Sequence, residues 1–181
     1  MIIFFGPAGA GKSMQGQLLA ARMDWRWLSA GQILRDTRDP EISQIIQQGE
    51  LVSHESITRI MGNAIKKAGD IDQIILDGFP RKLEQADWLI SSKTDHGRDI
   101  GLVIVLEVPR AELLHRLAIR GRADDTPEAI DQRLNIYRQE MYPVLNLFSK
   151  SDIPVVHIDG VGHVGAVHDR IFAELQERNL V

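Results

Sequence analysis

Residues 6 to 13 read GPAGAGKS and match the pattern G-x-x-x-x-G-K-[ST] through Gly6, Gly11, Lys12 and Ser13. Such a loop turns its backbone N–H groups inward around a polyphosphate. Its lysine reaches the outer phosphates, and its hydroxyl is a ligand for Mg²⁺. A second group of chemically capable residues lies in LDGFPR, Leu76 to Arg81. An aspartate ending an apolar run beside a phosphate loop is placed to hold Mg²⁺ through its waters, which is the expectation for Asp77. Gly78 permits close backbone approach, and Arg81 is expected to point into the same cleft. Read alone, Asp-Gly is merely a common turn. Fifteen of the 21 basic residues are arginine, whose planar fork suits bidentate phosphate contact better than lysine does. Arg116 and Arg120 are four apart, hence on one helical face, although a solvated face would show the same spacing. The six histidines have no metal-like spacing, and the absence of cysteine excludes disulfides and thiolate zinc sites.

Elements that would position these residues can be read from the apolar pattern. Met1–Phe5 predicts a buried strand leading into the loop, and Met14–Met23 a helix with Leu18, Leu19 and Arg22 in its periodicity. Strand, glycine loop and helix are the setting in which a helix N-terminus contributes to anion binding. Further strands are expected at Trp25–Leu28, Gln73–Asp77, Leu102–Val108 and Pro154–Ile158. The run LVIVLEV is continuous and β-branched, as parallel strands tend to be. Helices are expected at Ile33–Arg38, Glu41–Gln48, Ser53–Lys67, Lys82–Ser91, Pro109–Ile119, Thr126–Phe148 and His163–Arg178. Asp125 and Glu128 are expected to form a capping box for the sixth of these, with Pro127 in its first turn and a kink at Pro143. Five strands separated by helices imply an α/β fold with a parallel sheet, helices on both faces and right-handed crossovers. Ligands then gather at the carboxyl ends of the strands.

The 181 residues suit one domain, and 44% hydrophobic with 25% charged residues is ordinary for a globular protein. A net charge of −4 argues against general nucleic-acid binding. No apolar run approaches the length of about 20 residues needed to span a membrane, and no signal peptide is visible, so the cytoplasm is the expected location.

Taken with SAGQILR (29–35), GELV (49–52) and RGRADDTPEAIDQRLNIYR (120–138), these motifs resemble the nucleoside monophosphate kinases, and the adenylate kinases most closely. The order agrees from Ile2 to about Ile158, and DGFPR followed by Gln85-Ala86 and GRADDTPEAIDQRL are the most specific pieces. The resemblance implies a P-loop NTPase fold over residues 1–181, with a monophosphate-binding insert at about 29–58 and a short lid at about 120–125. It implies a monomer that transfers the ATP γ-phosphoryl group to AMP, with Mg²⁺ as cofactor and no nucleic-acid or membrane partner. ATP would lie against Gly9, Ala10, Gly11, Lys12, Ser13, Met14, Arg116 and Gly160, with Arg116 stacked on the base. The monophosphate would lie against Ala30, Arg35, Glu50, Val52, Gly78, Arg81 and Gln85. Lys12, Arg81, Arg116, Arg120, Arg122 and Arg133 would be catalytic, and Ser13 and Asp77 would hold Mg²⁺, partly through water.

Departures from the family pattern bear on the acceptor. The family's G-K-G-T is Gly11-Lys12-Ser13-Met14 here, and its S-T-G-D is Ser29-Ala30-Gly31-Gln32. Ala30 is what UMP/CMP kinases tend to carry, whereas Gln85 is the adenylate kinase choice. The alternative is thus a pyrimidine monophosphate acceptor. A shikimate- or gluconate-type kinase would not need GELV or DGFPR-x-x-x-Q, and a catalytically weak nucleotide-binding protein would not need six arginines in register.

Overall fold

The structure is a computed structural model that describes residues 1–37, 40–48, 50–122 and 125–181. Five strands, β1 (Ile2–Phe5), β2 (Arg26–Ser29), β3 (Ile74–Asp77), β4 (Leu102–Glu107) and β5 (Val155–Asp159), form one sheet in the order β2-β3-β1-β4-β5. Every pairing is parallel, with Ile2 opposite both Ile75 and Leu102. Parallel strands need long crossovers. Here those are α1 (Lys12–Met23), α2 (Ala30–Asp36), α3 (Pro40–Gln47), α4 (His54–Lys67), α5 (Leu83–Ser91), α6 (Lys93–His96), α7 (Arg110–Arg120) and α8 (Pro127–Lys150), with α9 (Val164–Glu177) closing the chain.

Side chains alternate across a strand, and the buried runs therefore feed two cores. Ile3, Phe5, Ile74, Leu76, Val103 and Val105 pack on one face with Met61 and Ile65 of α4, Leu89 of α5 and Phe148 of α8. Ile2, Phe4, Ile75, Leu102, Ile104 and Leu106 pack on the other with Leu19 of α1, Leu117 of α7 and Ile171 of α9. Helix α8 joins both layers: Ile130 and Leu134 lie in the second, Val144 and Phe148 in the first. It spans about 36 Å at 1.5 Å per residue, and it runs on through Pro143.

The structure departs from the sequence expectations in four places. Helix α1 begins at Lys12 rather than Met14, and its buried face is Gln15, Gly16, Leu19 and Ala20, leaving Leu18 exposed. Helix α2 begins at Ala30, because the Ser29 side chain accepts from Gln32 N and caps it. The one-turn helix α6 has no apolar periodicity to announce it. The expected capping box does not form: Thr126 caps α8 by accepting from Ala129 N, and Asp125 is drawn instead to two arginines. Of the expected lid, residues 123 and 124 lie outside the described residues, as do 38, 39 and 49 of the expected insert, with Arg38 and Gly49 among them.

Candidate active site

The carboxyl ends of all five strands face one edge of the sheet, and the loop after β1 is the phosphate-type loop. Gly6 has φ +146°, and a Cβ placed on it would meet the Leu106 carbonyl at 2.9 Å, so only glycine lets the loop lie against β4. Gly11, also at positive φ, leads directly into α1. Lys12 Nζ folds back over the loop and donates to the carbonyls of Gly6 (2.8 Å) and Pro7 (2.9 Å). Burial pushes the Lys12 ammonium down to about 8, Arg81 and Arg120 push the same way, and Asp77 opposes them. Ser13 Oγ donates to Asp77 Oδ2 at 2.6 Å. Ala10 is buried behind the loop with its N–H on the Pro7 carbonyl, while Met14 stands half-exposed at the rim.

Asp77 ends β3 in register with Phe4 of β1, which sets it about 4.8 Å across the sheet from the strand that carries the loop. Beyond it, Arg81 Nε donates to the Gly78 carbonyl at 2.9 Å, and the Arg81 backbone N–H donates to Gln85 Oε1 at 2.8 Å. A backbone N–H can only donate, so this bond fixes which end of the buried Gln85 amide is oxygen. Burial, with the charges of Arg133 and Arg35, weakens the hold of Arg81 on its proton, against the pull of Asp77.

The third wall comes from α7 and α8. Arg116 pairs with Glu112 (2.7 Å) and donates to the Gly160 carbonyl (3.0 Å), which places its guanidinium across the start of the β5–α9 connection. Arg120 forks onto Asp125, with Nε to Oδ2 at 2.8 Å and Nη2 to Oδ1 at 2.5 Å. Arg133 reaches the same carboxylate at 3.1 Å and donates to the Ile46 carbonyl of α3 at 3.2 Å, joining α8 to the helical insert. Burial alone would raise the Asp125 pKa. The Arg120 hydrogen bonds and charge, the Arg122 N–H and the charge of Arg133 outweigh it and hold the carboxyl below its ordinary range.

These walls enclose a cleft of about 460 Å³. Lys12, Arg35, Arg81, Arg116, Arg120, Arg122 and Arg133 all line it, against the carboxylates of Glu50, Asp77 and Glu140. Gly9, Gly11, Ser13 and Met14 line one part of it, and Ala30, Val52, Gly78 and Gln85 another. Of the candidate residues, Ala10 and Gly160 stand behind the lining rather than in it. Sequence reasoning missed Asp125 as a site residue: Arg120 and Arg133 are 13 positions apart, and only the fold brings both onto one carboxylate. It also left out Tyr137, which lines the cleft with its ring 5.8 Å from that of Phe5. Its place in the apolar stripe of α8 was the available signal. Ser13 and Asp77 present a hydroxyl and a carboxylate side by side, hard oxygen donors that fit Mg²⁺. Among the described residues no three His, Asp or Glu side chains group as a metal cage. A Mg²⁺ ion here would need phosphate oxygens and water to complete its shell.

A cleft with a phosphate loop on one side and a separate arginine-rich wall on the other suits two phosphorylated molecules held end to end. A family model described as adenylate kinase matches residues 4–153. The adenylate kinase of Mycobacterium leprae is 35% identical over 178 residues, covering 95% of this chain and 94% of its own length. That of Mycobacteroides abscessus is 34% identical over 182 residues, 97% of each chain. That of Thermus thermophilus is 33% identical over 184 residues, 96% of each chain. The chain belongs to the adenylate kinase family.

Proposed function

We propose that the protein transfers the γ-phosphoryl group of ATP to AMP, giving two ADP. The observation that carries this reading is the convergence of Lys12, Arg35, Arg81, Arg120, Arg122 and Arg133 on one cleft between the phosphate loop and Gln85. The transferring group passes through a loose, highly charged transition state, so the protein's task is to align and neutralise. The acceptor is a phosphate that is already anionic, and no general base is required. Lys12 and the loop N–H groups hold the donor phosphates, while Arg35 and Arg81 hold the acceptor phosphate. Arg120, Arg122 and Arg133 lie between them and spread over the moving charge. Arg116, fixed by Glu112 and Gly160, forms a wall for the donor base. Ser13 and Asp77 would hold Mg²⁺, which supplies charge neutralisation at the donor phosphates. Ala30, Leu34, Arg35, Glu50 and Val52 of the expected insert form the acceptor side, and Arg120 and Arg122 of the expected lid cover the reaction.

Gln85 supports AMP as acceptor. With Oε1 held by Arg81 N, its NH₂ is the end left to read a base, and Oε1 keeps one lone pair for an exocyclic amine. Adenine and cytosine offer that acceptor–donor pair, whereas uracil and guanine place a ring N–H against the amide N–H. Mismatched buried polar groups of this kind discriminate strongly. A purine also fills more of the apolar wall made by Leu34, Val52 and Ile57. Initial rates of ADP formation from ATP with AMP, CMP, UMP, GMP and shikimate test the assignment. AMP should be fastest, CMP second, and Gln85→Asn should narrow the gap between them. Turnover of CMP or UMP by the native protein at or above the AMP rate would make Ala30 the deciding residue instead.

A further inference from the structure

Gln15 is 3% exposed and carries a polar head, yet none of the chemistry above uses it. It lies one turn into α1, on the helical face turned away from the cleft, next to Met14 at the rim. Its Nε2 donates to the Val164 carbonyl at 2.9 Å, and its Oε1 accepts from His168 Nδ1 at 3.3 Å. Val164 is the first residue of α9, and His168 lies one turn further on, stacked on Phe172. Elsewhere the α1–α9 seam packs Leu19 and Ala20 against Val167, Ile171 and Leu175, and the Arg22 guanidinium lies 3.4 Å over the Phe172 ring. Apolar contact resists separation but is non-directional. Gln15 adds two hydrogen bonds whose direction and length help to set the register of α1 against α9 at the end nearest the phosphate loop.

That register fixes the segment behind the phosphate loop and Arg116. The connection from β5 to α9 is only residues 160–163, and its first residue rests on the phosphate loop. Gly160 N donates to the Glu107 carbonyl at 2.8 Å, and a Cβ on Gly160 would lie 2.7 Å from Val108 and 3.6 Å from the Ala10 carbonyl. Its own carbonyl takes the Arg116 guanidinium, which also borders Gly11. Met14, Val161 and Val164 leave apolar surface exposed at this rim. Met14 and Arg116 both line the cleft, and the 160–164 segment holds Arg116 from behind through the Gly160 carbonyl. Moving α9 by a fraction of an ångström along α1 would shift Arg116 against Met14 and leave the loop intact.

We propose that Gln15 is a positioning residue for the base of the donor nucleotide: it ties α1 to the first residue of α9 and so sets how Arg116, held by the Gly160 carbonyl, stands against Met14 of α1. This rests on the reading of ATP as donor.

The test is calorimetric binding of ATP and of inorganic tripolyphosphate, which has the phosphates and no base, to the native protein and to Gln15→Leu. KM values for ATP and AMP are measured alongside. Gln15→Leu should weaken ATP about tenfold in both Kd and KM, leave tripolyphosphate binding within twofold, and leave the KM for AMP and kcat at saturating ATP within twofold. Gln15→Glu, which sets a carboxylate against the Val164 carbonyl, should be at least as severe. His168→Phe keeps the stack on Phe172 and loses the bond that orients the amide; it should shift ATP two- to fourfold with the same selectivity, and it decides the matter should Gln15→Leu not fold. Equal weakening of ATP and tripolyphosphate, parallel rises in both KM values, or no change in ATP affinity would overturn the proposal. Absence of ATP binding by the native protein would instead sink the kinase reading itself, and this inference with it.

Discussion

Replacing Asp125 with alanine removes a carboxylate that is only 2% exposed and holds two arginines of the cleft. Three side-chain hydrogen bonds go with it, two from the Arg120 fork and one from Arg133, along with a longer one from Arg122 N at 3.4 Å. A hydrogen bond to a charged group contributes about 1.5–3 kcal/mol net, and bidentate pairs stand at the strong end. Full additivity would overstate the loss, because Arg120 is itself 30% exposed and regains water when released. Arg133 is 13% exposed and regains less. The expected destabilisation is therefore about 2–3 kcal/mol. Turnover should fall further, on the order of 10²-fold, because Arg120 and Arg133, proposed above to spread over the transferring charge, lose their orientation together. Asp125→Asn keeps the shape and one acceptor but not the charge, and should lie between the native protein and the alanine variant on both scales. The folded-state pKa of Asp125 is depressed, so its contribution to stability is complete above about pH 4, the ordinary carboxylate value, and is lost as pH falls through the lower folded-state value. That acid-side loss should be absent in Asp125→Asn. Urea unfolding followed by tryptophan fluorescence, together with initial rates of ADP formation, measures all of this. Stability within about 0.5 kcal/mol of native and turnover within about threefold would refute the reasoning.

Lys12→Ala and Arg81→Ala should each lower phosphoryl transfer about 10²- to 10³-fold without unfolding the protein; near-native rates of ADP formation with ATP and AMP would show the site to be misassigned. Because burial holds Lys12 near 8, the free protein loses this ammonium as pH rises through that value, and an arriving phosphate should restore it. ATP binding at about pH 8.5 should accordingly take up protons, seen as a dependence of the calorimetric heat on buffer ionisation enthalpy; a heat independent of buffer would contradict it. As the proposed lid, the turn Arg120-Gly121-Arg122 would be a small cover for a site that must exclude water, so ATP with Mg²⁺ alone should yield measurable phosphate. Hydrolysis below a ten-thousandth of the transfer rate, on the order of 5.5 kcal/mol of discrimination, would show that this short turn seals the site.

The central strands β1, β3 and β4 were legible because parallel strands buried on both faces read as near-continuous apolar runs. The edge strands RWLS and VVHID are partly exposed and mixed, yet all five lie within two residues of where Met1–Phe5, Trp25–Leu28, QIILD, LVIVLEV and Pro154–Ile158 placed them. The phosphate loop and DGFPR were legible because backbone geometry demands glycine at fixed offsets. What was not legible depends on partners distant in sequence. Asp125 and Thr126 are both good N-cap residues, and the choice between them falls to Arg120 and Arg133, which compete for the aspartate once the fold brings them together. Leu18 belongs to the apolar periodicity of α1, but the face that α9 covers is that of Gln15 and Leu19. Helix α6 has only KTDH, with no apolar face to reveal it. Nothing local in the sequence marks Gln15, since its partners Val164 and His168 lie about 150 residues downstream.

In the proposed reaction one cleft passes a phosphoryl group from ATP directly to a nucleoside monophosphate. ATP labelled in its γ-phosphorus, incubated with AMP and Mg²⁺, tests this most directly. The label should move into the β-position of newly formed ADP, with two ADP made for each ATP consumed and only a trace of inorganic phosphate. Label released chiefly as inorganic phosphate, or retained in ATP while AMP stays unchanged, would contradict the account.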